Sequence, residues 1–200
     1  DLGYVSGDVV DLTFGAGTGW KRWRPDRLVT NDLDPRSGAD WHEDFTDLPW
    51  GPAIFDTVAF DPPYRLNGRP DPVFDAKYGT NNRVDWQVRH RLIREGITEA
   101  TRVLRPRGHL LVKCQDQVCS GAVRWQTIEF ANHATCGGVV LVDRLDFLGG
   151  RPQPATDERC LHRPKHRKRD CPELTTVPRR QEHAHSSYST LLIFRKPASR

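Results

Sequence analysis

Val9-Val10-Asp11-Leu12-Thr13-Phe14-Gly15-Ala16-Gly17-Thr18-Gly19 is the stretch on which the fold turns. Its first six residues are largely β-branched or apolar and read as a buried strand. Glycines at alternate positions then mark a tight turn where backbone can approach a ligand. A helix is expected from about Trp20, its N-terminal N–H groups facing the same point. Further along, Leu28-Val29-Thr30-Asn31-Asp32 is a second candidate strand, and Phe55-Asp56-Thr57-Val58-Ala59-Phe60 a third, stopped by the proline pair of Asp61-Pro62-Pro63-Tyr64. Between Asp85 and Leu104, the positions Leu92, Ile93, Gly96, Ile97, Ala100, Val103 and Leu104 recur at helical spacing, and Pro106 with Gly108 provides a stop. Residues 109–113 and 139–142 read as further buried strands, and 189–194 as a last one. Strands alternating with helices predict an α/β fold with a parallel sheet.

The length of 200 residues suits one domain spanning 1–200. Two segments break the alternation: a loop at 65–84 rich in Pro, Gly and Asn, and a basic, Pro-rich insertion at about 149–185. Loops of that length are usually functional or disordered. No run of about 18 apolar residues exists and residues 1–10 lack the layout of a signal peptide, which argues against membrane and secretory classes. Five cysteines without regular spacing suit reduced thiols, and hence a cytoplasmic protein. The sequence contains no Met, so residues upstream of Asp1 are expected. Its formal charge of +4 is concentrated: residues 151–185 hold nine Arg or Lys against five Asp or Glu, and the remainder is balanced.

The chemistry-bearing residues gather at predicted strand ends. Gly15, Gly17 and Gly19 follow the first strand, and Asp32 closes the next, where a carboxylate can accept both hydroxyls of a ribose. Asp34 is a second candidate there, or simply the first residue of an Asp-Pro turn. Asp61-Pro62-Pro63-Tyr64 places a carboxylate, two residues without N–H donors and an aromatic ring at the edge where open α/β sheets bind ligands. An exocyclic amino group on a base is a poor nucleophile because its lone pair is delocalised into the ring. Asp61 and the Pro62 carbonyl, by accepting its hydrogens, can localise that pair, while Tyr64 stacks on a base drawn out of its helix. In the basic segment Arg163, Lys165, Arg167 and Lys168 suit phosphate contacts, as do Arg65 and Arg69 in the earlier loop, unless these cations form a solvated surface. Cys160, His162, His166 and Cys171 are zinc-type ligands at compact spacing, although this spacing matches no standard zinc finger.

The residues from Asp11 to Gly19, the run Asn31-Asp32-Leu33-Asp34 and the stretch from Phe55 to Tyr64 resemble, in that order, the class I S-adenosylmethionine-dependent methyltransferases. Asp61 to Tyr64 resembles the catalytic motif of the amino-methyltransferases that modify adenine N6 or cytosine N4 in DNA. The likeness covers residues 8–147 and the last strand, and 181–195 is similar to the close of phage and bacterial DNA methyltransferases. It implies a Rossmann-like sheet of seven mostly parallel strands, the last antiparallel. It implies S-adenosyl-L-methionine as cofactor, held by Asp11, Phe14 and the three glycines at its methionine part, by Asp32 and Asp34 at the ribose, and by Asp44 and Phe45 at the adenine. The family's N-terminal motif, with a Phe against the cofactor, is not recognisable in residues 1–8.

DNA adenine-N6 methylation is the expected activity, by direct transfer without a covalent intermediate. None of the five Cys follows a Pro, which argues against the Cys-dependent cytosine-C5 route. Cytosine N4, an RNA base, and a non-enzymatic nucleic-acid or zinc-binding module on the same scaffold are the alternatives.

Overall fold

The computed structural model describes residues 2–66, 85–148, 156–164, 166–178 and 188–198. Strand β1 (Val9–Asp11) lies parallel between β2 (Leu28–Thr30) and β3 (Phe55–Phe60), and β3 pairs parallel with β4 (Leu104–Cys114). Small two-stranded sheets pair β5 (Gln117–Cys119) with β6 (Ala122–Arg124) and β8 (Thr156–Arg159) with β9 (Thr175–Pro178). Strand β10 (Tyr188–Arg195) is antiparallel to both β4 and β7 (Val140–Leu148). The central sheet therefore runs β2-β1-β3-β4-β10-β7, six strands among the described residues.

This is the expected α/β architecture with one strand fewer than seven. The outer position beside β2 is reduced to a single parallel bridge, Asn31 to Trp41. The stretch after Trp41 accounts for the reduction: His42, Glu43 and Asp44 are polar or acidic, and Asp44 folds back to accept from the Thr46 backbone N–H at 2.9 Å. Two other expectations are corrected. The helix after Trp20 is only a 3-10 turn, Thr18–Trp20, because Pro25 follows too soon for a helix to propagate. Strand β7 is a largely exposed edge rather than a buried strand, with Val140 and Val142 open to solvent.

Helix α1 (Trp86–Val103) begins where predicted, with the Asp85 carboxylate accepting from the Gln87 N–H as its N-cap, and ends as the chain extends directly into β4. Its buried stripe of Ile93, Gly96, Ile97, Ala100 and Val103 packs on Phe60, Leu110, Val112 and their neighbours to form the core. Helix α2 (Gln126–Cys136) packs on α1, β7 and β10, so both helices cover one face of the sheet. No described helix is long and apolar enough to cross a membrane.

Candidate active site

Because β1, β2 and β3 are parallel, their carboxyl ends present Asp11, Asn31-Asp32 and Asp61 along a single edge. The three positions are linked by short hydrogen bonds. Asp11 accepts from the Thr13 N–H at 3.0 Å and from the Trp20 indole at 2.7 Å. Thr13 in turn accepts, through its hydroxyl, the backbone N–H of Asp61 at 2.8 Å. Asp32 accepts from the Gly15 N–H at 2.7 Å and from the Asp34 N–H at 2.9 Å, which ties the glycine turn to the end of β2. Burial pushes the Asp11 carboxyl up to about 6, opposed by the bonds from Trp20 and Thr13 and reinforced by the nearby charges of Asp61 and Asp32.

Gly17 adopts a left-handed φ of 64°, and a Cβ there would come within 2.7 Å of the Phe14 ring. Gly19 faces open space, so neither its neighbours nor its φ requires a glycine. The buried Asn31 amide clips the Glu43 loop to β1: its nitrogen donates to the carbonyls of Leu12 and Glu43, and its oxygen accepts from the Glu43 N–H. Farther along, Asp34 is held by Arg36 at 2.8 Å, which depresses its carboxyl to about 2, the arrangement of an Asp-Pro turn. Asp44 is exposed and engaged with Thr46, and Phe45 lies edge-on to Phe60 at 5.1 Å between ring centres. Phe45 therefore contributes packing whatever else it contacts.

The Asp61 to Tyr64 segment is held at several atoms by residues that sequence reading passed over. Lys113, near the end of β4, donates to the half-exposed Asp61 carboxylate at 2.7 Å and lies 5.9 Å from the centre of the Tyr64 ring. Despite burial, which acts to lower it, Asp61 and Tyr64 hold the Lys113 ammonium pKa above its ordinary value. The Pro62 carbonyl accepts from the Tyr64 N–H at 2.6 Å, a tight three-residue turn that leaves the carbonyl its second lone pair. Buried Arg89 of α1 donates to the Pro63 carbonyl at 2.7 Å. The Tyr64 carbonyl receives the amides of Gln117 at 2.9 Å and Gln126 at 2.8 Å, and Leu66 N–H donates back to Gln117 at 3.1 Å. Tyr64 itself is partly buried against the core. An open depression lined by Asp8, Arg27 and Arg105 lies at the opposite, amino-terminal edge of the sheet, away from this constellation.

The candidate phosphate contacts are only partly described. Arg65, Arg163 and Arg167 are exposed, whereas Arg69, Lys165 and the side chain of Lys168 lie outside the described residues. The β8–β9 hairpin occupies the middle of the basic segment, and Cys160, His162, His166 and Cys171 cluster at its end with ligand atoms within 4.8 Å of one another.

No protein-family model matches the sequence, and no curated protein sequence matches it either. Solved structures do. The N-methyltransferase NodS from Bradyrhizobium japonicum superposes with a TM-score of 0.52 at 17% identity, over 96% of this chain and 86% of its own. The [4+2]-cyclase SpnF gives 0.53 at 13% identity, over 98% and 78%. A candidate DNA modification methylase from Thermus thermophilus gives 0.45 at 13% identity over 76% of this chain, which spans only 48% of that protein. A methyltransferase and a cyclase on one scaffold mean that the reaction has to be argued from the site. What the likeness establishes is architecture: the chain has the mixed α/β, mostly parallel fold of the class I methyltransferases.

Proposed function

We propose that the protein is an S-adenosylmethionine-dependent methyltransferase acting on the exocyclic amino group of a nucleic-acid base, adenine N6 in DNA. The observation that carries this reading is the chain of bonds from the glycine turn to the Asp61 motif: Asp11 holds the Thr13 N–H, and the Thr13 hydroxyl holds the Asp61 N–H. An acceptor carboxylate thus stands beside a turn suited to a nucleoside cofactor.

The residues present fit that cofactor. A side chain at Gly17 would fill the turn against Phe14, and each Asp32 oxygen, although it accepts one backbone N–H, keeps a lone pair for a ribose hydroxyl. When bound, S-adenosylmethionine supplies an electrophilic methyl group on a sulfonium. Support for the cofactor comes from NodS, which shares the fold at 15% identity and has been crystallised with S-adenosyl-L-homocysteine.

The protein's own part is to orient the amino group and strengthen its nucleophilicity. Lys113 anchors Asp61 Oδ2, and we assign Oδ1 and the free lone pair of the Pro62 carbonyl to the two amino hydrogens. Drawing on both hydrogens pulls the nitrogen lone pair out of conjugation and toward the methyl. Transfer would break the sulfonium S–C bond, release neutral S-adenosylhomocysteine and leave the nitrogen positively charged, and the Asp61 carboxylate would stabilise that charge until the proton passes to water. Tyr64, supported by Arg89, Gln117 and Gln126 through the backbone around it, stacks on the extruded base. The exposed cations Arg65, Arg163 and Arg167 hold phosphates, with Arg69, Lys165 and Lys168 of the same segments as further candidates.

The test is to incubate the protein with methyl-labelled cofactor and either DNA or RNA and identify the modified nucleoside by mass spectrometry. N6-methyladenine in DNA is the expected product. N4-methylcytosine or a methylated RNA base would correct the substrate, and label on neither polymer would sink the reading. Asp61→Ala should abolish transfer yet leave S-adenosylhomocysteine affinity within about three-fold by calorimetry, since Asp61 faces the acceptor. Loss of binding together with activity would make Asp61 a cofactor or folding residue.

A further inference from the structure

We infer that Cys160, His162, His166 and Cys171 form a structural zinc site that closes the end of the β8–β9 hairpin. The argument is geometric. Zinc–sulfur bonds of about 2.3 Å and zinc–nitrogen bonds of about 2.0–2.1 Å, at the tetrahedral angle, set each sulfur about 3.6 Å from each nitrogen. Cys160 Sγ stands 3.3 Å from His162 Nδ1 and 3.7 Å from His166 Nδ1, and Cys171 Sγ stands 3.5 Å from His162 Nδ1. All four ligand atoms lie within 4.8 Å of one another.

Hydrogen bonding among the four side chains accounts poorly for this convergence. A thiol can donate one hydrogen and accept another, which serves Cys160 between its two imidazoles, but the single Nδ1 position of His162, protonated or not, faces two sulfurs. A cation at the centre satisfies all four at once. The donor set, two soft thiolates and two imidazoles in a closed group of four, selects zinc and leaves no position for substrate, so the role is structural. Binding takes the two thiol protons into solvent and involves no redox change. One contact must open: the Cys171 thiol donates to the Glu173 carbonyl at 2.7 Å, and that hydrogen is lost when the thiolate forms.

The position of the site gives it a purpose. Cys160 directly follows β8, and Cys171 lies four residues before β9 begins, so the metal staples a loop whose ends the short hairpin already brings together. That loop carries the exposed side chains of Arg163, Arg167 and Arg169. The site does not depend on the methyltransferase reading, and its test measures metal rather than turnover.

The full chain, purified under reducing conditions with added zinc and then dialysed, should retain about one zinc per chain by elemental analysis. Cobalt exchanged into the wild-type protein should show thiolate-to-cobalt charge transfer and the intense visible bands of tetrahedral coordination. The double variant Cys160→Ser/Cys171→Ser should lose the zinc, whereas Cys136→Ser, which changes an exposed thiol outside the cluster, should keep it. A reduced wild-type chain that retains no zinc overturns the inference, and so does a double variant that retains it. The cobalt spectrum decides the matter if the double variant fails to fold. Octahedral, weakly absorbing cobalt is the contrary result.

Discussion

An isolated aspartate carboxyl titrates near 3.8, but burial at the end of β1 pushes that of Asp11 up to about 6. Between these values the folded chain binds a proton at Asp11 that the unfolded chain does not. Stability from this group therefore falls as pH rises through that window and stays lower above it. Asp11→Asn removes the titration. Compared with the wild type, its unfolding free energy should decline less from pH 4.5 to 7, by about 2 kcal/mol. Urea denaturation at the two pH values measures the difference, and parallel curves for the two proteins would show that Asp11 is not protonated in the fold. Such a site costs stability at neutral pH, and under the proposed cofactor role cofactor affinity should drop in the same variant. Asp32 and Asp61 were legible in the sequence because they stand at the ends of predicted apolar strands, whereas Asp11, inside the first predicted strand, was legible only through the family resemblance. Lys113 was not, since a lone lysine within an apolar strand reads as an outward-facing surface residue, and its partner lies 52 positions away. Arg89, Gln117 and Gln126 stayed hidden for another reason: their targets are backbone carbonyls, which leave no mark on side-chain patterns.

Helix α1 contains a glycine at its most crowded point. A Cβ on Gly96 would lie 2.6 Å from Phe60 Cζ and 2.7 Å from Phe45 Cδ2. Alanine gains about 1 kcal/mol in helix propensity, but forcing a methyl into a packed core costs about 1–3 kcal/mol. Phe60 is buried in the core and cannot yield, so Phe45 must shift. Gly96→Ala is expected to lower stability by about 1 kcal/mol in urea denaturation. Unchanged stability would mean that Phe45 moves freely. Helix α1 was readable from its periodicity and its Pro106–Gly108 stop, whereas α2 carries no capping side chain of its own at Trp125. Its first turn is held from a distance by buried Asp116, which accepts from the Thr127 N–H at 2.9 Å and from its hydroxyl. The β5–β6 hairpin did have a local signal: Ser120-Gly121, both with positive φ, is a two-residue turn of the kind that joins antiparallel strands.

Across the whole molecule, charge is separated from chemistry. The acidic site lies at the carboxyl edge of the sheet, while the excess of positive charge belongs to residues 151–185. Each phosphate neutralised by Arg or Lys adds about −0.9 to the slope of log K against log salt on duplex DNA. Replacing Arg163, Lys165, Arg167 and Lys168 by Ser should flatten that slope by up to about four contacts' worth and weaken DNA binding. Fluorescence anisotropy over a salt series measures it, and an unchanged slope would move the interface to the loop that begins at Arg65. The sheet has a further property, set by the position of β10 between β4 and β7. All other strands of the sheet are synthesised before it, yet β7 touches the sheet only through β10. During translation β7 emerges with no neighbour to join, and the backbone groups of its inner side stay unpaired until Tyr188–Arg195 follows. A nascent chain that stalls before Tyr188 therefore presents two unpaired strand edges to chaperones, one on β4 and one on β7, and β10 seals both in a single step.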